Sequence, residues 1–221
     1  MEFSGWLTAI VFLPMLGAIS IALFFDNPRN IRIVSCTVAL AELILSIIIF
    51  TQYSSETNAA RFQLIDKADQ WIPISSFNVQ YFLGIDGLSA PMVLLTGLLG
   101  MVAIFASWGI QHRVREYFIW LLVLQTAVMG VFTSLDFVLF FLFWELELIP
   151  MFFLISIWGS GRKEYSAMKF LVFTILGGAL MLVGILALFF STDPHTFDMT
   201  AYPEAIQSAS LIMPIGFIFT L

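Results

Sequence analysis

Residues 136–158, DFVLFFLFWELELIPMFFLISIW, decide the fold. A helix of this length, at about 1.5 Å per residue, covers the roughly 30 Å hydrocarbon core of a bilayer. A helix serving only as an anchor has no use for charge or proline in its interior, yet this one carries Glu145, Glu147 and Pro150. A charged side chain at the bilayer centre costs roughly 2.5–3.5 kcal/mol on insertion scales, and intramembrane acids mark proton relays, ion sites or structural ion pairs.

The surrounding chain suits a membrane. Of 221 residues, 60% are hydrophobic and only 11% charged, and the mean hydropathy is +0.98. This is the composition of an integral membrane protein, for which length does not translate into domain number. Cys36 is the single cysteine, so no disulfide framework exists within the chain. No basic patch is present, so nucleic acid is not expected as a partner. The N-terminus lacks the basic n-region of a cleavable signal, because no Lys or Arg precedes Arg29.

Six apolar runs meet the length of a span: 3–25, 31–53, 86–108, 116–134, 136–158 and 166–190. Lipid offers no partner for backbone N–H and C=O groups, so helix is the expected state of each. A seventh run, 208–221, is too short to span and reads as a helix cut by the end of the chain. The longest polar segment, 54–85, separates the second and third helices. Its period-two pattern around Val79 and Tyr81 suits a small β-hairpin on the membrane surface; an interfacial loop anchored by Trp71, Tyr81 and Phe82 is the alternative.

Basic residues sort by side. Of nine, Arg29, Arg32, Arg113, Arg115, Arg162, Lys163 and Lys169 fall opposite the N-terminus, while Arg61 and Lys67 share its side. The positive-inside rule then sets the N-terminus outside the cytoplasm. Glu56, Asp66, Asp69, Asp193, Asp198 and Glu204 all lie on that outer side.

Glu145 falls about 14 Å along its helix, near mid-membrane. Glu147 follows two residues later and points about 200° away, so both acids cannot face one partner. Pro150 frees the carbonyl of Leu146 and disfavours a straight helix; it reads either as a hydration point beside an acid or as an ordinary kink. Lys169, near the start of the sixth helix, is either a lysine snorkelling to the headgroups or a proton-relay partner of the neighbouring helix. Glu42 is a third intramembrane acid, expected to contact a neighbouring subunit or to bond Ser35, Thr37 or Ser46. His112 and His195 sit in loops on opposite sides and make no metal or haem site. Gly177, Gly178, Ala179 and Gly184 suggest close helix packing. No GxGxxG, P-loop or CxxC motif occurs, so redox cofactors are expected elsewhere.

LGIDGLSAP at 83–91 and FFLFWELELIPMFFLISIWGSGRKEYSAMKFLVFT at 140–174 carry a family resemblance. The chain resembles the antiporter-like membrane subunits of complex I, the proton-pumping NAD(P)H–quinone oxidoreductase, and most of all the subunit 4 (M or D) type. The resemblance implies an all-α membrane bundle of fourteen helices with two inverted five-helix repeats, of which this chain is the N-terminal part. Its parts would be helices one and two (1–53), the outer hairpin or loop (54–85), helix three (86–115) and the start of the first repeat (116–221). Glu145 matches the family's essential helix-five glutamate, whose lysine partner on helix seven would lie beyond residue 221. Lys169 matches the lysine opening helix six, and Glu147 the second acid of ELELIP.

The implied activity is proton translocation coupled to quinone reduction. NAD(P)H, FMN, iron–sulfur clusters and quinone would be bound by other subunits, and no cofactor or metal by this one. Its partners would be the lipid bilayer and other membrane subunits, including neighbouring antiporter-like ones. The setting would be a bacterial inner membrane or an energy-transducing organelle membrane such as the thylakoid. Three other readings stay open: a subunit of a multisubunit cation/proton antiporter, a subunit of a membrane-bound hydrogenase, and a non-pumping scaffold.

Overall fold

The computed structural model of the chain describes residues 5–53, 62–74, 77–191 and 195–201. The run 208–221, expected to open a seventh helix, lies outside them, as do Glu56, Arg61, Asp193 and Glu204. Among the described residues, six helices are long and apolar enough to cross a membrane. They are α1 (Trp6–Phe24), α2 (Pro28–Gln52), α3 (Ser89–Ala106, continued by a 3₁₀ turn at Ser107–Gly109), α4 (Val114–Thr133), α5 (Phe137–Trp158) and α6 (Lys163–Ser191). The strands β1 (Gln63–Ile74) and β2 (Phe77–Ile85) form an antiparallel hairpin between α2 and α3.

Helix ends follow local chemistry. α2 starts at Pro28, earlier than hydropathy predicts, because Pro28 occupies the first turn and the Asn27 side chain accepts from Arg29 N–H. α3 starts later, at Ser89, because Asp86 turns out to cap it: its carboxylate accepts from Leu88 and Ser89 N–H, and Ser89 Oγ accepts from Asp86 N–H. α6 begins at Lys163, whose Nζ donates to the Ile157 carbonyl at the end of α5.

The hairpin is not a flap lying on the bundle. Val79, Phe82, Leu83 and Ile85 of β2 are buried against the helices. Tyr81 and Phe82 are not headgroup anchors either. Tyr81 Oη donates to Thr8 Oγ1 at 3.0 Å, and the Phe82 ring lies under Lys67 Nζ, 4.6 Å from its centroid. Ladder irregularities separate Gln63 from Asp66 and Ala68 from Ile72. Leu64, in the first, adopts φ 52°, so the bulge there aims Asp66 at α1. The Asp66 carboxylate accepts from Gly5 N (2.6 Å), Thr8 N (2.8 Å) and Thr8 Oγ1 (2.9 Å) and thereby caps α1. On the other side of β2, residues 134–136 bridge Leu83 and then Asp198. The Asp136 carboxylate caps α5 through Val138 and Leu139 N–H and accepts from Gln80 N–H at 3.2 Å. Lys67 pairs with Asp198 at 3.7 Å.

α4 is the hub, packing on α1, α2, α3 and α5, while α6 leans on α5. Of three apolar clusters among the described residues, one lies between α5, α6 and β2 and the other two fill the bundle at different depths. Near the hairpin, Val11, Ile49, Val93 and Met129 pack together. Toward the opposite end, Ala18, Ala39, Ile104 and Leu122 do so. That opposite end carries the cations: Arg32 donates to the Ile110 carbonyl, and Arg115 pairs with Asp26. Large apolar side chains along α6, among them Val172, Leu176, Leu180 and Val183, face outward, as expected where the surrounding solvent is lipid or protein.

Candidate functional site

α5 is apolar on every side, so its sequence gives no direction to Glu145; packing supplies it. Trp120 of α4 stacks on Phe153 of α5 with ring centroids 4.6 Å apart. Phe12 of α1 meets Phe143 of α5 at 6.4 Å, and Gly130 of α4 lets the Phe143 ring approach its backbone. With α5 held on that face by α1 and α4, Glu145 points toward α6. Its carboxylate lies over Gly178, where even a methyl group would collide with Oε1. Gly177 has nothing within 4 Å of its Cβ position, so the small-residue stretch of α6 is a contact at Gly178 and open space at Gly177, not a continuous packing stripe.

Glu145 and Glu147 are both partly buried, and among the described residues neither makes a hydrogen bond or ion pair. Pro150 is buried in the same helix, which continues through it to Trp158. Lys169 is not brought to Glu145. It precedes Gly178 by nine residues, about 13.5 Å along α6 and about half a turn round it, and it is exposed. Its Nζ lies 5.8 Å from the Phe173 ring of its own helix. The expectations for Glu42 are corrected. It is fully buried inside this chain and so meets no neighbouring subunit. Both carboxylate oxygens lack a hydrogen-bond partner, because Ser35, Thr37 and Ser46 spend their hydroxyls on the carbonyls of Ile31, Val34 and Leu43.

His112 and His195 are exposed, and His195 lies against the Phe189 ring at 5.2 Å. Among the described residues, no group of three His, Cys, Asp or Glu side chains is arranged to hold a metal ion. Sequence reasoning used Asp66 and Asp136 only as markers of sidedness or helix position and missed their role as helix caps. The signal was present for Asp136, an N-cap residue type directly before an apolar run. For Asp66, far from α1 in sequence, no local signal exists.

Residues 134–221 match the family described as NADH:quinone oxidoreductase/Mrp antiporter, TM. NAD(P)H-quinone oxidoreductase chain 4 of Synechococcus elongatus is 43% identical over 196 residues, a span covering 88% of this chain and 36% of that protein. This chain is similar to chain 4 of the NAD(P)H-quinone oxidoreductases. The chloroplastic chain 4 of Mesostigma viride is 38% identical over 200 residues, covering 90% of this chain and 39% of its own length. The chain thus spans well under half the length of these chain 4 relatives. Among the solved structures that share its fold are two from respiratory membrane complexes. One is a chain of respiratory complex I from Thermus thermophilus with bound NADH, with a TM-score of 0.72 at 21% identity over 87% of this chain and 38% of that one. The other belongs to the membrane-bound sulfane sulfur reductase, an archaeal respiratory membrane complex, with a TM-score of 0.70 at 19% identity over 87% of this chain and 29% of that one.

Proposed function

We propose that this chain is part of a proton-translocating membrane subunit of an NAD(P)H–quinone oxidoreductase, and that Glu145 is its proton carrier. The observation that carries this reading is the set of Glu145 against Gly178: a mid-span carboxylate at a helix–helix interface, with no cation bound to it among the described residues. Such an acid gives up or takes a proton according to whether a cation approaches it, since an ion pair favours the charged carboxylate. The cation would come from the helix that follows α6 in the full subunit. Glu147, turned away by helical geometry, and Lys169, on the outer side of α6, are secondary members of the relay. Pro150 leaves the carbonyl of Leu146, the residue next to Glu145, without a helical donor, a foothold for a hydrogen-bonded proton path.

In this reading α4 to α6 open the first antiporter-like repeat, and the outward apolar side chains of α6 meet further helices or neighbouring subunits. NAD(P)H, FMN, iron–sulfur clusters and quinone belong to those other subunits. The membrane is a bacterial cell membrane or a thylakoid, with the hairpin and N-terminus on the side away from the cytoplasm or its equivalent, because the cations gather at the opposite end.

A second reading follows from the family's description, which covers Mrp antiporters as well: a subunit of a cation/proton exchanger. Glu145→Gln in the full-length subunit, within its assembled complex, tests both. Proton uptake into membrane vesicles is measured alongside quinone reduction. Loss of proton uptake driven by quinone reduction supports the first reading, and loss only of sodium-driven proton exchange supports the second. Unchanged proton movement of either kind sinks Glu145 as the carrier and leaves a scaffold.

A further inference from the structure

Between the two apolar clusters lies a polar layer. On α2, Ala39 belongs to one cluster and Ile49 to the other, with Glu42 and Ser46 between them. On α4, Leu122 and Met129 belong to the two clusters, with Gln125 and Thr126 between them. On α3, Ile104 and Val93 flank Thr96, Gly97 and Gly100 in the same way. The three helices therefore bring their polar residues to one depth, within about one turn of each other.

The two glycines make the layer close-packed. Ser46 of α2 sits in the notch of Gly97, and the Gln125 amide of α4 fills the notch of Gly100. On α1, Pro14 falls at this level, between Val11 and Ala18, and leaves the Ile10 carbonyl without its helical donor.

Three of these groups lack partners. Both oxygens of Glu42, both polar atoms of the Gln125 amide and the Thr126 hydroxyl are buried without a hydrogen bond. Glu42 and Thr126 are 0% exposed and Gln125 5%. Native interiors rarely leave such groups unsatisfied, and where they cluster, bound water is the usual partner. Among the described residues, the fully buried side chains include no Lys, Arg or His to compensate a charge on Glu42. The acid keeps its place most cheaply as a neutral carboxyl that both donates and accepts.

We infer that Glu42, Gln125 and Thr126 form a second intramembrane proton-exchanging site, in which bound water joins the Glu42 carboxyl to the Gln125 amide and the Thr126 hydroxyl. It is distinct from the Glu145 site: it lies among α2, α3 and α4, whereas Glu145 faces α6. The inference therefore stands whether or not Glu145 is the proton carrier.

Infrared spectroscopy of the full-length subunit in its purified complex tests it, reading the carbonyl stretch of protonated carboxylic acids before and after transfer to D₂O. Glu42→Gln is expected to remove one such band, and that band in the unmodified complex is expected to shift on deuteration. Gln125→Leu and Thr126→Val are expected to move it in frequency while leaving any Glu145 band in place. These two variants serve equally if Glu42→Gln fails to assemble. A Glu42 band that does not shift in D₂O means a dry, structural acid and overturns the inference. The absence of any band assignable to Glu42, or its loss on adding sodium alone, means an ionised or cation-binding carboxylate and overturns it as well.

Discussion

The Glu145 carboxylate occupies the space left by the missing side chain of Gly178. What a new Cβ would meet there is the far end of a flexible side chain, which can swing aside. Gly178→Ala is therefore expected to leave the bundle assembled and to displace Glu145 from the α5–α6 interface. If Glu145 carries protons, quinone-coupled proton uptake should fall several-fold at normal subunit abundance, and Gly178→Leu should be more severe. Normal uptake in both variants would show that the interface position of Glu145 does not matter.

Gly130 offers the contrasting case. A Cβ there would sit within 3.0 Å of the Phe143 ring, and a ring wedged between α1 and α4 has no easy retreat. Gly130→Ala should cost about 1–3 kcal/mol through overpacking. Thermal unfolding of the purified subunit would read this, and adding Phe143→Leu should restore part of the loss.

Asp66 ties β1 to the start of α1 through three hydrogen bonds. Asp66→Ala should cost about 2–4 kcal/mol, the range for losing a cap together with bonds to a charged acceptor. Asp66→Asn, which keeps an acceptor oxygen, should cost roughly half of that. Faster proteolysis at the hairpin in the Ala variant would report the loosened end, and unchanged proteolysis would mean the hairpin is held by β2 alone.

Asp136, just outside the span of α5, is pushed up from 3.8 to about 6, chiefly by burial, with the charge of Asp198 adding to the effect. Hydrogen bonds from Leu139, Gln80 and Val138 N–H oppose the shift. The folded value lies above the unfolded one, so the proton favours the folded state. This contribution is complete below about pH 4 and is lost as pH rises through about 6. A shift of this size is worth up to roughly 3 kcal/mol. Unfolding measured across that window should show stability falling with pH, and Asp136→Asn, which still caps a helix, should flatten the profile. An equally steep slope in the variant would assign the effect to another group.

The helices were legible because an apolar run of bilayer length has few alternatives in lipid. Their facing was not. α1 and α5 are apolar all round, so periodicity cannot say which side of Glu145 is covered, and only the aromatic contacts of Trp120, Phe12 and Phe143 decide it. The carboxylate at 145 and the glycine at 178 were each visible, but their meeting depends on how α5 and α6 lie in depth. Glu42 looked like a residue seeking a local hydroxyl or a foreign subunit; its real neighbourhood appears only when α2, α3 and α4 are aligned. The hairpin was half legible: the alternation around Val79 marked β2, whereas Asp66 reaches α1 across a sequence distance that no local pattern spans.

The cap geometry at the hairpin end also limits how the bundle can move. Asp66 fastens the start of α1 to β1, Asp136 fastens the start of α5 to β2, and the two strands are fastened to each other. The hairpin is thus a crossbar bolted to two columns. Neither α1 nor α5 can slide along the membrane normal without dragging the other, so a piston stroke of α5 would be a poor way to drive proton transfer if Glu145 is the carrier. Under that proposal, work delivered to Glu145 would have to arrive sideways, through α6 or through whatever leans on it, and turn a side chain.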